Sequence, residues 1–460
     1  MNTSRRESGR TLQRFVLNRK EFTMTRRSLS SIGLTALLAV TLASTAYAQT
    51  FTPLHIFTGL ADGGQPWAGL TMDSAGNLYG TTSMGGFRGH YWCQFGCGTV
   101  FQLKRTGNGW VFTTLYQFHG GRDGATPVAD VVIGPDGTLY GTTAWGGITS
   151  LNNNCSGTNG CGTVYNLRPT CQAGSCQWTE SVLFRFGDNY PNGGISPHSA
   201  LAFDAQGNVY GTTPTGGSSN DGVVYELTRS GESWTETVVH TFIGAPTDGE
   251  GPYSGVLFDQ NGNLYGTSWG GSGTGLVYEL SKTGAGWTES ILHNFQNHDD
   301  GQGPQGGLIF DRAGNLYGTT IESGQFDGGT TYELSPSAGG DWTFTWLGAF
   351  SCGQSYGGRC QYGQQGPWDS LAMDASGNLY GTTFSDGLYS DGSVFKLSHN
   401  PEGSWTLKDL HDFNGNFLRP PTEIGDWPTG NVVLDASGNI YGTTLVGGND
   451  NSGVVFEITP

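Results

Sequence analysis

Residues 73–82 read Asp-Ser-Ala-Gly-Asn-Leu-Tyr-Gly-Thr-Thr, and the Tyr-Gly-Thr within them returns at Tyr140, Tyr210, Tyr265, Tyr317, Tyr380 and Tyr441. Successive copies stand 52 to 70 residues apart. The same unit surrounds each one: a Pro, an apolar stretch, usually Asp-x-x-Gly-Asn, then Leu-Tyr-Gly-Thr-Thr, a Gly-rich loop, Gly-x-Val-Tyr/Phe-x-Leu, a polar turn and Trp-Thr-x-x-x-Leu-x-x-Phe. Such a unit holds four short runs of β-branched and aromatic residues bounded by turn formers, which read as strands. In the first unit they are A (Leu70 to Asp73), B (Leu78 to Thr82), C (Thr99 to Leu103) and D (Trp110 to Phe118). No segment sustains a helical period.

Four-stranded units repeated radially make a β-propeller, and seven units predict seven blades. The chain ends sharpen the prediction. Strands A, B and C occur seven times, but D begins inside the chain only six times, at Trp110, Trp178, Trp234, Trp287, Trp342 and Trp405. The missing copy stands at the front, where Gln49 to Phe57 carries the Thr, Leu and final Phe of the D pattern. The fold expected is therefore all-β, a seven-bladed β-propeller closed by the N-terminal strand pairing into the last blade. An open solenoid is the alternative, but it would more naturally carry distinct caps.

Composition agrees. Glycine, 78 of 460 residues, disfavours a helical protein, and 35% hydrophobic residues with 12% aromatics supply enough apolar surface for a core. Residues 1–48 read as a secretory signal: Arg26-Arg27, an apolar stretch from Ile32 to Ala43, then Ala46-Tyr47-Ala48 before Gln49, with Met24 the expected start. The apolar run is too short for a membrane span. Without this leader the chain has 13 basic and 36 acidic residues, a net charge of −23, which repels phosphate backbones and anionic membranes. Neither nucleic acid nor a membrane is an expected partner. The product is expected to be secreted or periplasmic, and a monomer.

Eight cysteines form four close pairs, Cys93 with Cys97, Cys155 with Cys161, Cys171 with Cys176 and Cys352 with Cys360. In an exported chain they read as disulfides stapling loops, within each close pair or, as the alternative, crossed between neighbouring loops. They are dispersed and lack ordered histidine partners, so no zinc site is expected. The turn aspartates Asp73, Asp204, Asp259, Asp311, Asp374 and Asp435 read as acceptors of turn amides, with Asp136 doing the same differently in the second unit. One carboxylate per turn falls far short of a calcium shell. His55, His240, His293 and His411 share one place in strand D and read as packing. No metal or cofactor is expected.

The unit Asp-x-x-Gly-Asn-Leu-Tyr-Gly-Thr-Thr, followed by Gly-Gly and Gly-x-Val-Tyr/Phe-x-Leu, resembles the GloVer tandem repeat of exported bacterial "choice-of-anchor" proteins, over essentially all of residues 49–460. The Pro-led A strand and Gly-Asn-Leu-Tyr B strand also look like NHL-type propellers, which implies that strand A lines the axis. The family implies surface or secreted proteins and no established activity. Many members carry a sorting tail. This chain ends at strand C without one, so it is expected to be released.

A site should lie where the repeats disagree. The D-to-A and B-to-C loops share one face, and long insertions fall there, from Phe87 to Gly96, Ile148 to Gly160, Ser351 to Gly366 and Asn414 to Asp426. Just after the Pro of each A strand, at the channel mouth, stand Trp67, Val128, His198, Tyr253, Gln305, Trp368 and Thr429. Aromatic faces beside polar groups suit sugars or cations. The candidate ligand contacts are Trp67, His198, Tyr253, Trp368, Asp369 and Asp426, unless these side chains merely plug the channel. The leading reading is a secreted non-enzymatic propeller recognising a glycan or protein. An extracellular lactonase, lyase or polysaccharide hydrolase is the second, with His198, Asp369 and Asp426 as first suspects. A structural envelope or matrix protein is the third. No nucleophile, phosphate-loop or zinc-helix motif appears.

Overall fold

The computed structural model describes residues 49–89, 93–107, 109–147, 155, 160–172, 175–187, 192–244, 248–270, 273–284, 286–296, 299–351, 366–414 and 425–460. These residues form seven four-stranded antiparallel sheets arranged as the blades of a propeller, with no helix among them. Blade 1 runs Thr71–Met72, Leu78–Thr82, Thr99–Thr106 and Gly109–Gln117, in the order A-B-C-D. Blades 2 to 6 repeat that order. Blade 7 takes its A, B and C strands from Val433–Leu434, Ile440–Thr444 and Val454–Thr459, and its fourth is the N-terminal strand Thr50–Ile56. That strand pairs antiparallel with Val454–Thr459, from Thr50 opposite Thr459 to Ile56 opposite Val454.

Most residues of the repeated decapeptide have a structural task. In blade 1 the Asp73 carboxylate accepts the backbone amides of Ala75 and Asn77 at 2.9 and 2.8 Å, the Asn77 side-chain amide and the Tyr79 hydroxyl. Gly76, at φ +79°, completes the turn in the left-handed region. The glycine of Tyr-Gly-Thr leaves space for the strand C ring: a Cβ on Gly211 would lie 2.4 Å from the Tyr225 hydroxyl, and one on Gly80 2.5 Å from the Phe101 ring. The first threonine donates across the seam to a carbonyl of the segment that leads into strand A of the next blade. All seven blades do so at 2.7 to 3.2 Å, and Thr443 closes the circle onto Ala68.

Strand D contains a feature that the spacing only hinted at. Its Trp-x-x-x-x-Leu-x-x-Phe spacing is odd, so in a regular strand Leu and Phe would face opposite ways. Each C–D ladder instead skips the same residue of strand D, namely Leu54, Leu115, Leu183, Val239, Leu292, Leu347 or Leu410, and the blade 5 ladder has a second irregularity at Phe350. The bulge reverses the facing of the strand. Before it, Trp110 packs toward blade 7 beside Tyr441; from the bulge residue Leu115 onward the facing is reversed, and Leu115 and Phe118 pack toward blade 2 beside Tyr165 and Leu167. The core consequently lies in seven separate apolar clusters, one per seam.

Candidate functional site at the channel mouth

The threonine ring fixes the start of every A strand, because its acceptors are the residues directly after the seven mouth positions. Trp67, Val128, His198, Tyr253, Gln305, Trp368 and Thr429 all line one cavity of about 390 Å³. Trp67 and Trp368 stack across it with centroids 6.0 Å apart and planes 22° apart. The His198 ring lies edge-on to Tyr253 at 5.7 Å. His198 Nδ1 donates to the Ser196 carbonyl at 2.6 Å, which leaves Nε2 as an acceptor, and burial holds its pKa below the usual histidine value.

Deeper in, the lining becomes acidic. Asp369 belongs to the cavity, as expected from the sequence, and so does Asp130, which sequence reasoning passed over. Asn431 ties the two together: its backbone amide donates to Asp369 Oδ2 at 3.0 Å and its side-chain amide to Asp130 Oδ2 at 2.6 Å. Gly69 makes this bridge possible, since a Cβ there would stand 2.3 Å from Asn431 Oδ1. Burial raises the pKa of both acids, that of Asp130 well above the carboxylate range with the charge of Asp369 adding to it. Asp130 Oδ1, Asn431 Oδ1 and Trp368 Nε1 are sealed from solvent without a hydrogen-bond partner. A signal for Asp130 and Asn431 did exist. They occupy the third place after the Pro, where the other five units have Gly69, Ala200, Gly255, Gly307 and Ser370.

Asp426 does not line the cavity. It sits in the short strand Gly425–Asp426, paired with Val446–Gly447. Burial, with the nearby Asp391 charge, pushes its carboxyl up to about 8, and Asp391 itself is raised to about 6 by burial. The adjacent Trp427 joins it to the cavity through an aromatic ladder in which Trp368, Phe384 and Trp427 follow one another at 5.4 and 5.3 Å. The same loop face exposes Phe87, Phe95, Trp145, Trp269, Phe326, Leu388 and Tyr389.

The staples Cys93–Cys97, Cys155–Cys161 and Cys171–Cys176 are formed, whereas Cys352 and Cys360 lie outside the described residues. The strand D histidines do more than pack, because His55 and His293 each meet an aspartate, Asp62 and Asp300, at 3.2 Å.

These features define a seven-bladed propeller with an aromatic and acidic cavity at one end of its axis. The Gloeobacter/Verrucomicrobia repeat model matches residues 152–363 and 270–460, and the chain belongs to that family. No curated protein matches by sequence. Among solved structures, the extracellular domain of a protein described as a one component system from B. thetaiotaomicron aligns at 12% identity and a TM-score of 0.51, over 89% of this chain and 40% of its own. The periplasmic gluconolactonase of Pseudomonas aeruginosa aligns at 14% identity and a TM-score of 0.46, over 79% of this chain and 95% of its own. At 12% identity the likeness to the first of these concerns the fold alone.

Proposed function

We propose that the protein is an exported binding propeller that holds a neutral carbohydrate at the channel mouth. The carrying observation is the joint presence, in one cavity of about 390 Å³, of the Trp67 and Trp368 rings with Asp130, Asp369 and His198. Ring faces take up the apolar face of a sugar, and the carboxyl and imidazole groups exchange hydrogen bonds with its hydroxyls. The net charge of −23 beyond residue 48 turns polyanionic glycans away. Export is supported by the three disulfides, which persist in oxidising compartments, and by the leader-like residues 1–48.

The test is titration of residues 49–460 against a panel of neutral oligosaccharides. Trp67→Ala and Trp368→Ala should each weaken binding at least tenfold, roughly 1.4 kcal/mol, while Trp145→Ala, outside the cavity lining, leaves it unchanged. Full-strength binding by both cavity variants would refute the reading. A second reading, acid–base hydrolysis of the bound sugar, is favoured by the buried Asp130–Asp369 pair, whose raised pKa values suit a proton donor. Incubation of the natural protein with the bound oligosaccharide separates the two: cleavage that Asp130→Asn abolishes supports the second reading, and tryptophan-dependent binding without cleavage supports the first.

A further inference from the structure

The seven seams offer an internal comparison. The residue after the strand D bulge faces, across the seam, the residue three places before the bulge of the next strand D. At three seams this pairing is histidine on an aromatic ring: His55 stacks on Phe112 at 3.7 Å, His293 on Phe344 at 4.4 Å and His411 on Phe51 at 4.4 Å. At the seam between blades 3 and 4 the histidine is kept, as His240, but the ring is replaced by Glu289. The loop aspartate that holds His55 and His293 at 3.2 Å is also kept, as Asp248, yet its Oδ2 stands 3.5 Å from His240 Nε2. Glu289 Oε1 lies 3.8 Å from the same nitrogen.

We propose that His240, Asp248 and Glu289 bind a first-row divalent cation of zinc-like preference at the seam of blades 3 and 4. The three ligand atoms lie within 4.8 Å of one another. Tetrahedral ligands about 2.1 Å from a metal are about 3.4 Å apart, close to the two measured separations. His240 Nε2 and Glu289 Oε1 are sealed from solvent and accept or donate no hydrogen bond, which leaves their lone pairs for an ion. The wholly buried Tyr278 hydroxyl, also without a partner, sits within the field of Asp248 and Glu289. Asp248 is already oriented, accepting the amides of Ile243 at 2.9 Å and Gly249 at 2.6 Å. One imidazole with two carboxylates favours zinc or manganese over calcium or magnesium. The remainder of the His240 and Glu289 side chains is partly exposed, at 19% and 16%, so the cluster lies close to the surface of the seam.

The seam between blades 1 and 2 is a natural control. It has Asp123 and Glu180 in the two acidic places but Tyr116, bonded to Asp123 at 3.1 Å, in place of the histidine. The sequence hides the site because its members come from two blades and are 8 to 49 positions apart.

Metal-stripped residues 49–460, titrated calorimetrically with zinc chloride, should bind one ion per chain with a dissociation constant in the micromolar range or below. Glu289→Phe restores the packing of the sister seams and so should fold; its affinity should fall at least tenfold, while Glu180→Gln has no effect. Absence of saturable binding up to 100 µM zinc, using about that concentration as the micromolar bound, overturns the proposal. So does binding that survives Glu289→Phe, including binding that is lost instead in Asp130→Asn.

Discussion

Ring closure can be tested at Phe57. This residue follows the N-terminal strand, is wholly buried, and packs edge-on against Phe101 at 5.3 Å and Phe112 at 5.9 Å of blade 1. It is the counterpart of Phe118, which does the same for blade 2. Truncating a fully buried phenylalanine costs about 3 to 5 kcal/mol, from lost transfer energy and the cavity left behind. For the 412 residues from Gln49 to Pro460, an unfolding entropy of about 2.1 cal/mol/K per residue makes each kcal/mol worth roughly 1.2 °C, so Phe57→Ala should lower the melting temperature by about 4 to 6 °C. The assay is differential scanning calorimetry of Phe57→Ala beside Phe118→Ala and Val111→Ala. Val111 is 51% exposed, and its truncation should change stability by no more than about 0.5 kcal/mol. Phe57→Ala and Phe118→Ala should agree, because the closing seam is built like the internal ones. If Phe57→Ala instead behaves like Val111→Ala, the amino-terminal strand does not latch the ring.

Glu180 should impose a pH dependence. Burial, with the Asp123 charge, raises its carboxyl from 4.5 to about 7, so the folded state holds this proton more tightly than the unfolded chain does. Its favourable contribution is then complete below about pH 4.5 and lost as pH rises through about 7, at most about 3 kcal/mol. Glu180→Gln should therefore gain stability over the natural protein at pH 8 and not at pH 4.5, and a pH-independent difference in melting temperature would contradict this. Gly211→Ala should cost about 1 to 3 kcal/mol in chemical denaturation, because its Cβ would meet the buried Tyr225 ring. Gly284→Ala, with nothing within 4 Å, should be close to neutral.

The parts of the fold legible in the sequence are those whose causes are local and repeated. The aspartate turn, the glycine under the strand C ring and the paired threonines recur because each blade needs the same contacts at the same place. A missing D strand could be counted because the other six announce themselves with tryptophan. The bulge was written in the odd Leu-to-Phe spacing, but only the ladder register reveals which residue is skipped. The mouth could be read because each proline marks the start of an A strand. Asp130 and Asn431 lie two positions deeper, and their partnership spans the axis from blade 7 to blade 2, a proximity that no sequence spacing encodes. The His240 cluster escaped for the same reason: one member belongs to the neighbouring blade.

The cavity is not seven-fold in its chemistry, and its asymmetry coincides with the place where the chain closes. Trp67 comes from blade 1, Trp368 and Asp369 from blade 6, and Asn431 from blade 7, so the aromatic pair and most of the acidic bridge span the sector in which the two ends of the chain meet. Thr429 donates to the Trp67 carbonyl at 2.7 Å, and Thr443 donates to the next carbonyl, of Ala68, also at 2.7 Å. Both bonds cross the closing seam. Trp67 is thus held against Trp368 by contacts that exist only once the ring is shut, whereas Tyr253 and His198 are set by seams internal to the chain. Loosening the latch should for that reason reach the cavity unevenly, disturbing the Trp67–Trp368 stack before the His198–Tyr253 pair. A propeller whose ligand is gripped by rings from blades 1 and 6 gains affinity from closure, and by linkage the ligand must in turn favour the closed ring.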